Sequence, residues 1–123
     1  MSHYLFVYGT LKSDFDRRAS RYLHSKSRLL GEGEVRGVLY DLGSYPALVL
    51  DASAGNVWGE VFEIANFEEV IQVLDRYEGE EYRRVLTSIV VDQSSLDCWV
   101  YEYLGETDLH RVISEGRYVN SSF

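Results

Sequence analysis

The stretch VWGEVFEI, residues 57–64, predicts a β-strand that is apolar on both faces. Successive side chains of a strand point to opposite sides, so alternation divides the stretch into two sets. One face carries Trp58, Phe62 and Ile64, and the other carries Val57 and Val61. Strands that are covered on both sides suit a small barrel wrapped by helices.

The residues that follow predict an amphipathic helix. Asn66, with Glu69 three residues later, is close to a capping box in which Asn replaces Ser or Thr. Apolar residues then recur at helical spacing, at Phe67, Val70, Ile71 and Leu74. Gly79 is the expected stop, because glycine readily adopts the left-handed conformation in which many helices end.

The other elements are predicted on both sides of this strand and helix. Further strands are predicted at 4–8, 35–42, 45–51, 82–92 and 98–104, with a turn at 93–95. A helix of about three turns is predicted to start within 13–16, with Phe15, Ala19, Tyr22 and Leu23 at helical spacing. The order lacks the strict βαβ alternation of a Rossmann sheet. The sequence therefore predicts an α+β fold, a small mixed and partly closed β-barrel flanked by helices, as one domain over residues 1–123.

Composition and charge narrow the classes of partner. The 123 residues are 46% hydrophobic and 26% charged, with a formal net charge of −8. That charge disfavours nucleic acid and anionic membrane surfaces, although a local array of donors can still hold a small anionic ligand. The first residues lack a signal peptide's basic flank and long apolar region, and no segment approaches about 18 apolar residues. Cytoplasmic residence without a membrane span is therefore expected.

Cysteine and histidine give no sign of a metal site. Cys98 is the only cysteine, so an intramolecular disulfide is impossible, and a buried thiol in a strand is expected. His3, His24 and His110 are scattered without ligand spacing and are expected at the surface or in packing. No metal or cofactor is therefore predicted.

Glu78 lies where a carboxylate is unusual. It follows Ile71 by seven residues and Leu74 by four, which places it on the apolar face of the predicted helix. At a helix C-terminus the macrodipole disfavours an anion by about 0.3–1 kcal/mol, and partial burial acts in the same direction. A raised pKa is therefore predicted for Glu78, which suits a group that accepts and returns a proton near neutral pH. The alternative is a frayed helix end with Glu78 in water.

The loop Tyr8-Gly9-Thr10-Leu11 follows the first predicted strand. Glycine lets a backbone approach a ligand closely, and successive free N–H groups in such a loop can hold an anion. Thr10 adds a hydroxyl group. The pattern is not a Walker loop, and the alternative is an ordinary turn between a strand and a helix.

Together these two features resemble the γ-glutamylcyclotransferase-like superfamily, most of all the short branch with the γ-glutamylamine cyclotransferases and the plant avirulence-induced proteins. YGTL at 8–11 resembles the family's loop signature, and LDRYEG at 74–79 resembles its LDxxEG helix end. Further segments resemble the family in the same order: GVLY at 37–40, YPAL at 45–48, GEVFEI at 59–64, YRR at 82–84 and WVY at 99–101. The resemblance covers roughly residues 4 to 103.

The resemblance implies a reaction and a set of roles. A γ-glutamyl amide, either a γ-glutamylamine or a γ-glutamyl peptide, cyclises to 5-oxoproline and releases its amine, without metal or cofactor. Glu78 corresponds to the family's acid/base, and Tyr8, Gly9, Thr10 and Leu11 to the loop that holds the α-amino-acid end of the substrate. The YxR element implies a structural or substrate-proximal role for Tyr82 and Arg84, against the alternative of surface residues on an edge strand. Tyr118 is a further candidate that could close over the pocket, although tail aromatics are usually packing residues.

Other functions remain open at this point. A non-catalytic module that binds a small ligand or a partner could use the same fold. An enzyme that releases a carrier-bound or peptide amine, or one with different chemistry, is also compatible with the sequence. No segment specifies the leaving amine or an oligomeric state.

Overall fold

The computed structural model describes residues 3–120, which form seven strands and two helices. In chain order these are β1 (His3–Val7), α1 (Arg18–Lys26), β2 (Ser27–Asp41), β3 (Pro46–Leu50), β4 (Asn56–Ile64), α2 (Phe67–Glu78), β5 (Tyr82–Val91), β6 (Ser94–Tyr103) and β7 (Arg111–Val112).

Five of the strands close into a barrel. They hydrogen-bond in the order β2-β4-β1-β6-β5, and a pairing of β5 with β2 at Glu34 and Val90 completes the circle. The pair β1–β6 is parallel, with Leu5 opposite Trp99, whereas the other neighbours are antiparallel. Strands β3 and β7 lie outside the circle and pair with β2. The predicted α+β fold with a small mixed barrel is confirmed.

The apolar residues of the barrel divide into two cores, as the two-faced strand predicts. One core lies between the barrel and the two helices, and Phe62 and Ile64 of β4 belong to it. The other contains no helix residue and fills the barrel, with Val57 and Val61 of β4. Cys98 is fully buried in this inner core as a free thiol, as predicted.

Strand β2 is longer than predicted, since it begins at Ser27 and not at Val35. Its first ten residues pair with β4 along Ser27–Arg36, with a bulge between Leu29 and Gly31. Its last five residues pair with β3. The extra residues show little apolar alternation, so their sequence does not predict a strand. Pairing with β4 holds them in the sheet.

Helix α1 starts later than predicted, whereas α2 starts after Asn66 as predicted. Helix α1 begins at Arg18, because the residues before it form turns tied to the barrel. Ser13 donates from its backbone N and its Oγ to the two carboxylate oxygens of Glu60, both at 2.6 Å. The predicted capping box of α2 is wrong, since the Asn66 side chain makes no capping hydrogen bond. The predicted stop is confirmed: Gly79 has φ 82° and donates its N–H to the Asp75 carbonyl at 3.0 Å.

Residues 111–120, here called the C-terminal strap, cross the barrel and contact the turns before α1. Trp58 donates its backbone N–H to the Gly116 carbonyl at 2.8 Å, and Arg117 pairs with Glu32 at 2.6 Å. The rings of Tyr118 and Phe15 stack with centroids 5.8 Å apart. The strap therefore supports the segment that leads into α1.

Within residues 3–120, neither helix combines the length and the apolar character needed to cross a membrane. The same residues contain no group of three or more His, Cys, Asp or Glu side chains placed to hold a metal ion. His3 stacks on Phe67 and His24 on Phe62, so both serve packing.

Candidate active site

A cavity of about 350 Å³ opens where β1 ends, beside the start of β3 and the end of α2. Its size lies at the lower end of the range of roughly 300–1,000 Å³ for small-molecule sites. The cavity is lined by Phe6, Val7, Tyr8, Gly9, Thr10, Leu11, Arg17, Ser44, Tyr45, Pro46, Tyr77, Glu78, Tyr82 and Tyr101. We call the four exposed members the rim: Arg17, Ser44, Tyr45 and Tyr77. The other ten, buried or partly buried, form the wall.

The structure brings most of the predicted site residues together. Six of the eight candidates belong to the wall: Tyr8, Gly9, Thr10, Leu11, Glu78 and Tyr82. Arg84 and Tyr118 do not line the cavity. Helix α2 and the loop after β1 are far apart in sequence, and the barrel brings them to one side of the same cavity.

Glu78 is the last residue of α2 and the only acidic residue in the wall. Burial and, as the smaller cause, the nearby charge of Asp75 together raise the pKa of its carboxyl to about 8. Burial acts against the charged form because it removes the carboxylate from water. At neutral pH the carboxyl is therefore mostly protonated, and it can exchange a proton within the physiological range.

Asp75, about one helical turn before Glu78, does not line the cavity and is held by Arg84 and Tyr101. Arg84 donates from Nε to Oδ1 at 3.0 Å and from Nη2 to Oδ2 at 3.2 Å, and the Tyr101 hydroxyl donates to Oδ1 at 2.7 Å. The Arg84 guanidinium also lies over the Trp99 ring, 4.7 Å from its centroid. Arg84 therefore contacts Asp75 and does not line the cavity, which favours the structural one of the two roles predicted for it.

The loop of residues 8–11 approaches β3 so closely that position 9 must be glycine. A Cβ atom there would lie 2.7 and 2.8 Å from Cγ and Cδ of Pro46. Within residues 3–120, the backbone N–H groups of Gly9, Thr10 and Leu11 donate no hydrogen bond to another residue. Three successive amides at the cavity are thus available to an anionic or carbonyl oxygen.

The loop is also fixed by side-chain contacts. The Thr10 hydroxyl and the Tyr77 hydroxyl lie 2.7 Å apart, and one donates to the other. The Leu11 carbonyl accepts a hydrogen bond from Nε2 of His24 in α1 at 2.9 Å. These contacts order a loop that is not part of the sheet, so its amides keep one arrangement.

Tyrosine hydroxyls cross-link the rest of the wall. Tyr8 donates to the Tyr101 carbonyl at 2.6 Å and accepts the N–H of Leu48 at 3.3 Å. Tyr82 donates to the Pro46 carbonyl at 2.8 Å. Burial, followed by the charge of Glu78, raises the pKa of both Tyr8 and Tyr82, so both phenols stay neutral and keep their donor protons.

Several lining residues were not identified from the sequence. Tyr45 and Pro46 belong to the YPAL segment, so their signal was present without an assigned role. Arg17 and Ser44 have no local signal, because both lie in turns without periodicity. Tyr118 contacts Phe15, the ring beneath Arg17, and supports the rim from outside the cavity.

Comparison with known families decides the relationship. The model of the family "Gamma-glutamyl cyclotransferase, AIG2-like" matches residues 5–120. The chain belongs to this family. The match includes the loop at 8–11, Glu78 and the strands between them.

Individual relatives agree with this membership. The chain is 36% identical over 120 residues to a protein of Vibrio cholerae serotype O1 named "Putative gamma-glutamylcyclotransferase", covering 94% of this chain and 95% of that one. An AIG2-like protein of Mus musculus has a TM-score of 0.72 at 21% identity, covering 98% of this chain and 97% of that chain. YkqA of Bacillus subtilis has a TM-score of 0.77 at 24% identity, covering 96% of this chain, which spans only 40% of the length of YkqA. At these identities the two solved structures support the shared fold.

Proposed function

We propose that this family member is a cyclotransferase that converts a γ-glutamyl amide into 5-oxoproline and a free amine, with Glu78 as the general acid/base. The observation that supports it best is the carboxyl of Glu78, which titrates near pH 8 in a cavity that it shares with the loop amides of residues 9–11. Proton transfer and carbonyl activation are the two kinds of help that the reaction needs.

The reaction takes place within one substrate molecule. The α-amine attacks the γ-carbonyl carbon, a C–N bond forms and closes a five-membered lactam, and the C–N bond to the leaving amine breaks. Counted from the ammonium form, the α-nitrogen loses two protons, one before the attack and one as the lactam N–H forms, and the leaving nitrogen gains two when it is released as an ammonium group, so neither water nor an oxidant is consumed. Folding the substrate so that nucleophile and carbonyl meet can contribute several kcal/mol to lowering the barrier.

Glu78 carries the proton between the two nitrogens. The α-amine is normally protonated and must lose a proton before it can attack. A carboxyl whose pKa lies close to that of the amine can accept this proton and then deliver it to the leaving nitrogen. A carboxyl with an ordinary pKa would be a weaker base and rarely protonated at neutral pH.

The loop and the tyrosines position the substrate. The free amides of Gly9, Thr10 and Leu11 can donate to the α-carboxylate or to the oxygen that becomes negative as the tetrahedral intermediate forms. Tyr8 and Tyr82 hold the wall through hydrogen bonds to backbone carbonyls, which fixes the cavity before substrate binds. The reaction requires no metal or cofactor.

The test is an assay of 5-oxoproline release from a panel of γ-glutamyl amino acids and γ-glutamyl alkylamines. Wild type is compared with Glu78→Gln, which keeps the size of the side chain but cannot accept the proton. Glu69→Gln, on the exposed face of the same helix, is the matched control. We expect Glu78→Gln to lower kcat/KM by at least about a hundredfold, as for loss of a general base, and Glu69→Gln to keep the wild-type rate.

Two outcomes would contradict the proposal. Failure of wild type to turn over any member of the panel, while still binding γ-glutamyl compounds, would favour a non-catalytic binding module on the same fold. Full activity in Glu78→Gln would remove Glu78 from the mechanism and leave the pre-orientation of the substrate as the main effect.

A further inference from the structure

Arg17 is the one charged residue on the rim, and it has no acidic partner. The two acidic residues nearest to it in sequence pair elsewhere, Asp14 with Lys12 and Asp16 with Arg21. Within residues 3–120, no hydrogen bond or ion pair is made by the Arg17 guanidinium. A cation at the mouth of a ligand cavity is thus left unneutralised.

The guanidinium is nevertheless held in place. Its Cζ atom lies over the Phe15 ring at 5.5 Å from the centroid, and Phe15 in turn stacks on Tyr118 of the C-terminal strap. The backbone of Arg17 is fixed as well, since its N–H donates to Ser20 Oγ at 2.8 Å and its carbonyl accepts from Arg21 at 2.8 Å. An arginine stacked on an aromatic ring retains its planar fork of N–H donors for a ligand.

The position of Arg17 indicates which part of a substrate it meets. The α-amine must reach Glu78, so the α-carbon and its carboxylate lie at the wall, where the free amides of residues 9–11 can receive them. With that end of the substrate at the wall, the γ-carbon and its leaving amine are left to face the exposed rim. Arg17 is therefore available to a second anionic group, carried by the leaving amine.

We propose that Arg17 selects substrates whose leaving amine bears a carboxylate, so that γ-glutamyl amino acids are preferred over neutral or cationic γ-glutamylamines. A guanidinium can pair with a carboxylate through two parallel hydrogen bonds, which an uncharged amide cannot match. A local cation also matters more here than on a neutral protein, because it offsets the repulsion of anionic substrates by the net charge of −8. This inference rests on the proposed cyclotransferase function and names its substrate class.

The test compares two ligands that differ in one group, γ-L-glutamyl-L-alanine and γ-L-glutamyl-L-alaninamide. Binding is measured by titration calorimetry on the Glu78→Gln variant, in which turnover does not interfere. We expect the carboxylate compound to bind about tenfold more tightly, near the lower end for a charge-assisted contact because the rim is exposed. Adding Arg17→Met should bring the ratio of the two dissociation constants close to one, and Arg17→Lys should give an intermediate ratio.

Arg18→Met is the matched control, since Arg18 is the neighbouring exposed arginine and does not line the cavity. It should keep the tenfold ratio. An unchanged ratio in Arg17→Met would overturn the inference. An equal loss of affinity for both ligands would also overturn it, by assigning Arg17 to the γ-glutamyl part that they share.

Failure of the proposed function gives a different pattern. If wild type releases no 5-oxoproline but the ratio still depends on Arg17, the chain binds γ-glutamyl amino acids without cyclising them, and the selectivity stands. If wild type turns over γ-glutamyl alkylamines at least as well as γ-glutamyl amino acids, the cyclotransferase function stands and the selectivity is wrong.

Discussion

The wall and the rim of the cavity are built by different means. Wall residues are buried or partly buried and are tied to the barrel by the sheet and by tyrosine hydrogen bonds such as Tyr8 to the Tyr101 carbonyl. Rim residues are exposed and are held by side-chain contacts, such as Arg17 over Phe15 and Tyr77 with Thr10. A group that moves a proton needs a fixed position and a low-dielectric environment, whereas a group that selects among ligands can act from solvent. We therefore infer that the chemistry resides in the wall and the selectivity in the rim.

The largest effect is expected where the wall has no free space. Gly9→Ala would place a Cβ within 2.7 Å of Pro46 Cγ, so the loop or β3 must shift. A displacement of about 1 Å can lower kcat/KM on the order of a hundredfold, and overpacking typically costs about 1–3 kcal/mol of stability. Steady-state kinetics and urea unfolding measure both quantities.

Gly55→Ala is the control for this substitution, because a Cβ at position 55 meets no atom within 4 Å. It should change neither quantity appreciably. Wild-type activity in Gly9→Ala would mean that the wall can shift without loss of function. That result would contradict the inference that the wall must be rigid for the reaction.

The second prediction concerns stability at high pH. The pKa of Glu78 is about 8 in the folded protein against 4.5 in the unfolded chain, so the folded state binds more protons between these values. Stability from this group is fully present below pH 4.5 and is lost as the pH rises through 8. Glu78→Gln should therefore be more stable than wild type at pH 9, by on the order of 5 kcal/mol in the free energy of unfolding, and should match it near pH 4.5.

Glu69→Gln serves again as the control, and its stability difference from wild type should not vary with pH in this way. Glu78→Gln is thus expected to lose activity and, at pH 9, to gain stability. A Glu78→Gln protein that is less stable than wild type at pH 9 would place the carboxylate in a favourable environment and contradict its burial in the wall.

The third prediction concerns the pH dependence of catalysis. The acid limb of kcat/KM should lie near pH 8 rather than near 4.5, because Glu78 titrates there in the free protein. Asp75→Asn removes the charge that adds to this shift, so the limb should move to lower pH. It should remain above 4.5, since burial is the larger cause.

Asp92→Asn provides the comparison, as Asp92 lies exposed in the turn between β5 and β6. Its profile should overlay that of wild type. If Asp75→Asn moves the limb to higher pH, the interaction between the two carboxyl groups has the wrong sign and another group controls the limb.

The smallest effect is expected on the rim. Phe15→Leu removes the ring beneath Arg17 while keeping an apolar residue in the buried position. A cation–π contact at an exposed site is worth about 0.5–1 kcal/mol, so the preference for γ-glutamyl-alanine over its amide should fall only about two- to fivefold. Tyr22→Leu, which removes the similar contact beneath Lys26 away from the cavity, should leave the preference unchanged. If Phe15→Leu lowered turnover as much as Gly9→Ala, Phe15 would be needed for the reaction itself and not for the choice of substrate.

Much of the wall could be predicted from the sequence, because each signal was local. Helical spacing placed Glu78 on the apolar face of α2, and Gly79 ended that helix where its positive φ requires glycine. The alternation in residues 57–64 predicted a strand between two cores, which is how β4 packs. Features that depend on the periodicity of a single helix or strand could thus be predicted from the sequence.

The rim could not be predicted, because tertiary contacts form it. Ser13 and Asp14 have the composition of a helix start, yet Ser13 binds Glu60 and Asp14 accepts from Asn120, and α1 begins later. The same limit applies to Arg84, whose strand alternation left its direction open until the position of Asp75 was known. The roles of Glu78 and the loop in turnover remain predictions.

The parallel pair β1–β6 has a consequence for how the chain folds. Leu5 lies beside Trp99, and the hydrogen bond from Tyr8 to the Tyr101 carbonyl joins residues 93 positions apart. Contacts of such high sequence separation form slowly, because a long loop must close before they contribute. During synthesis β1 is made before β6. Until β6 is made, β4 can pair with one edge of β1, and the other edge stays unpaired. The cavity would then be among the last features to form, and a nascent chain that stops before β6 would present an aggregation-prone strand in its place.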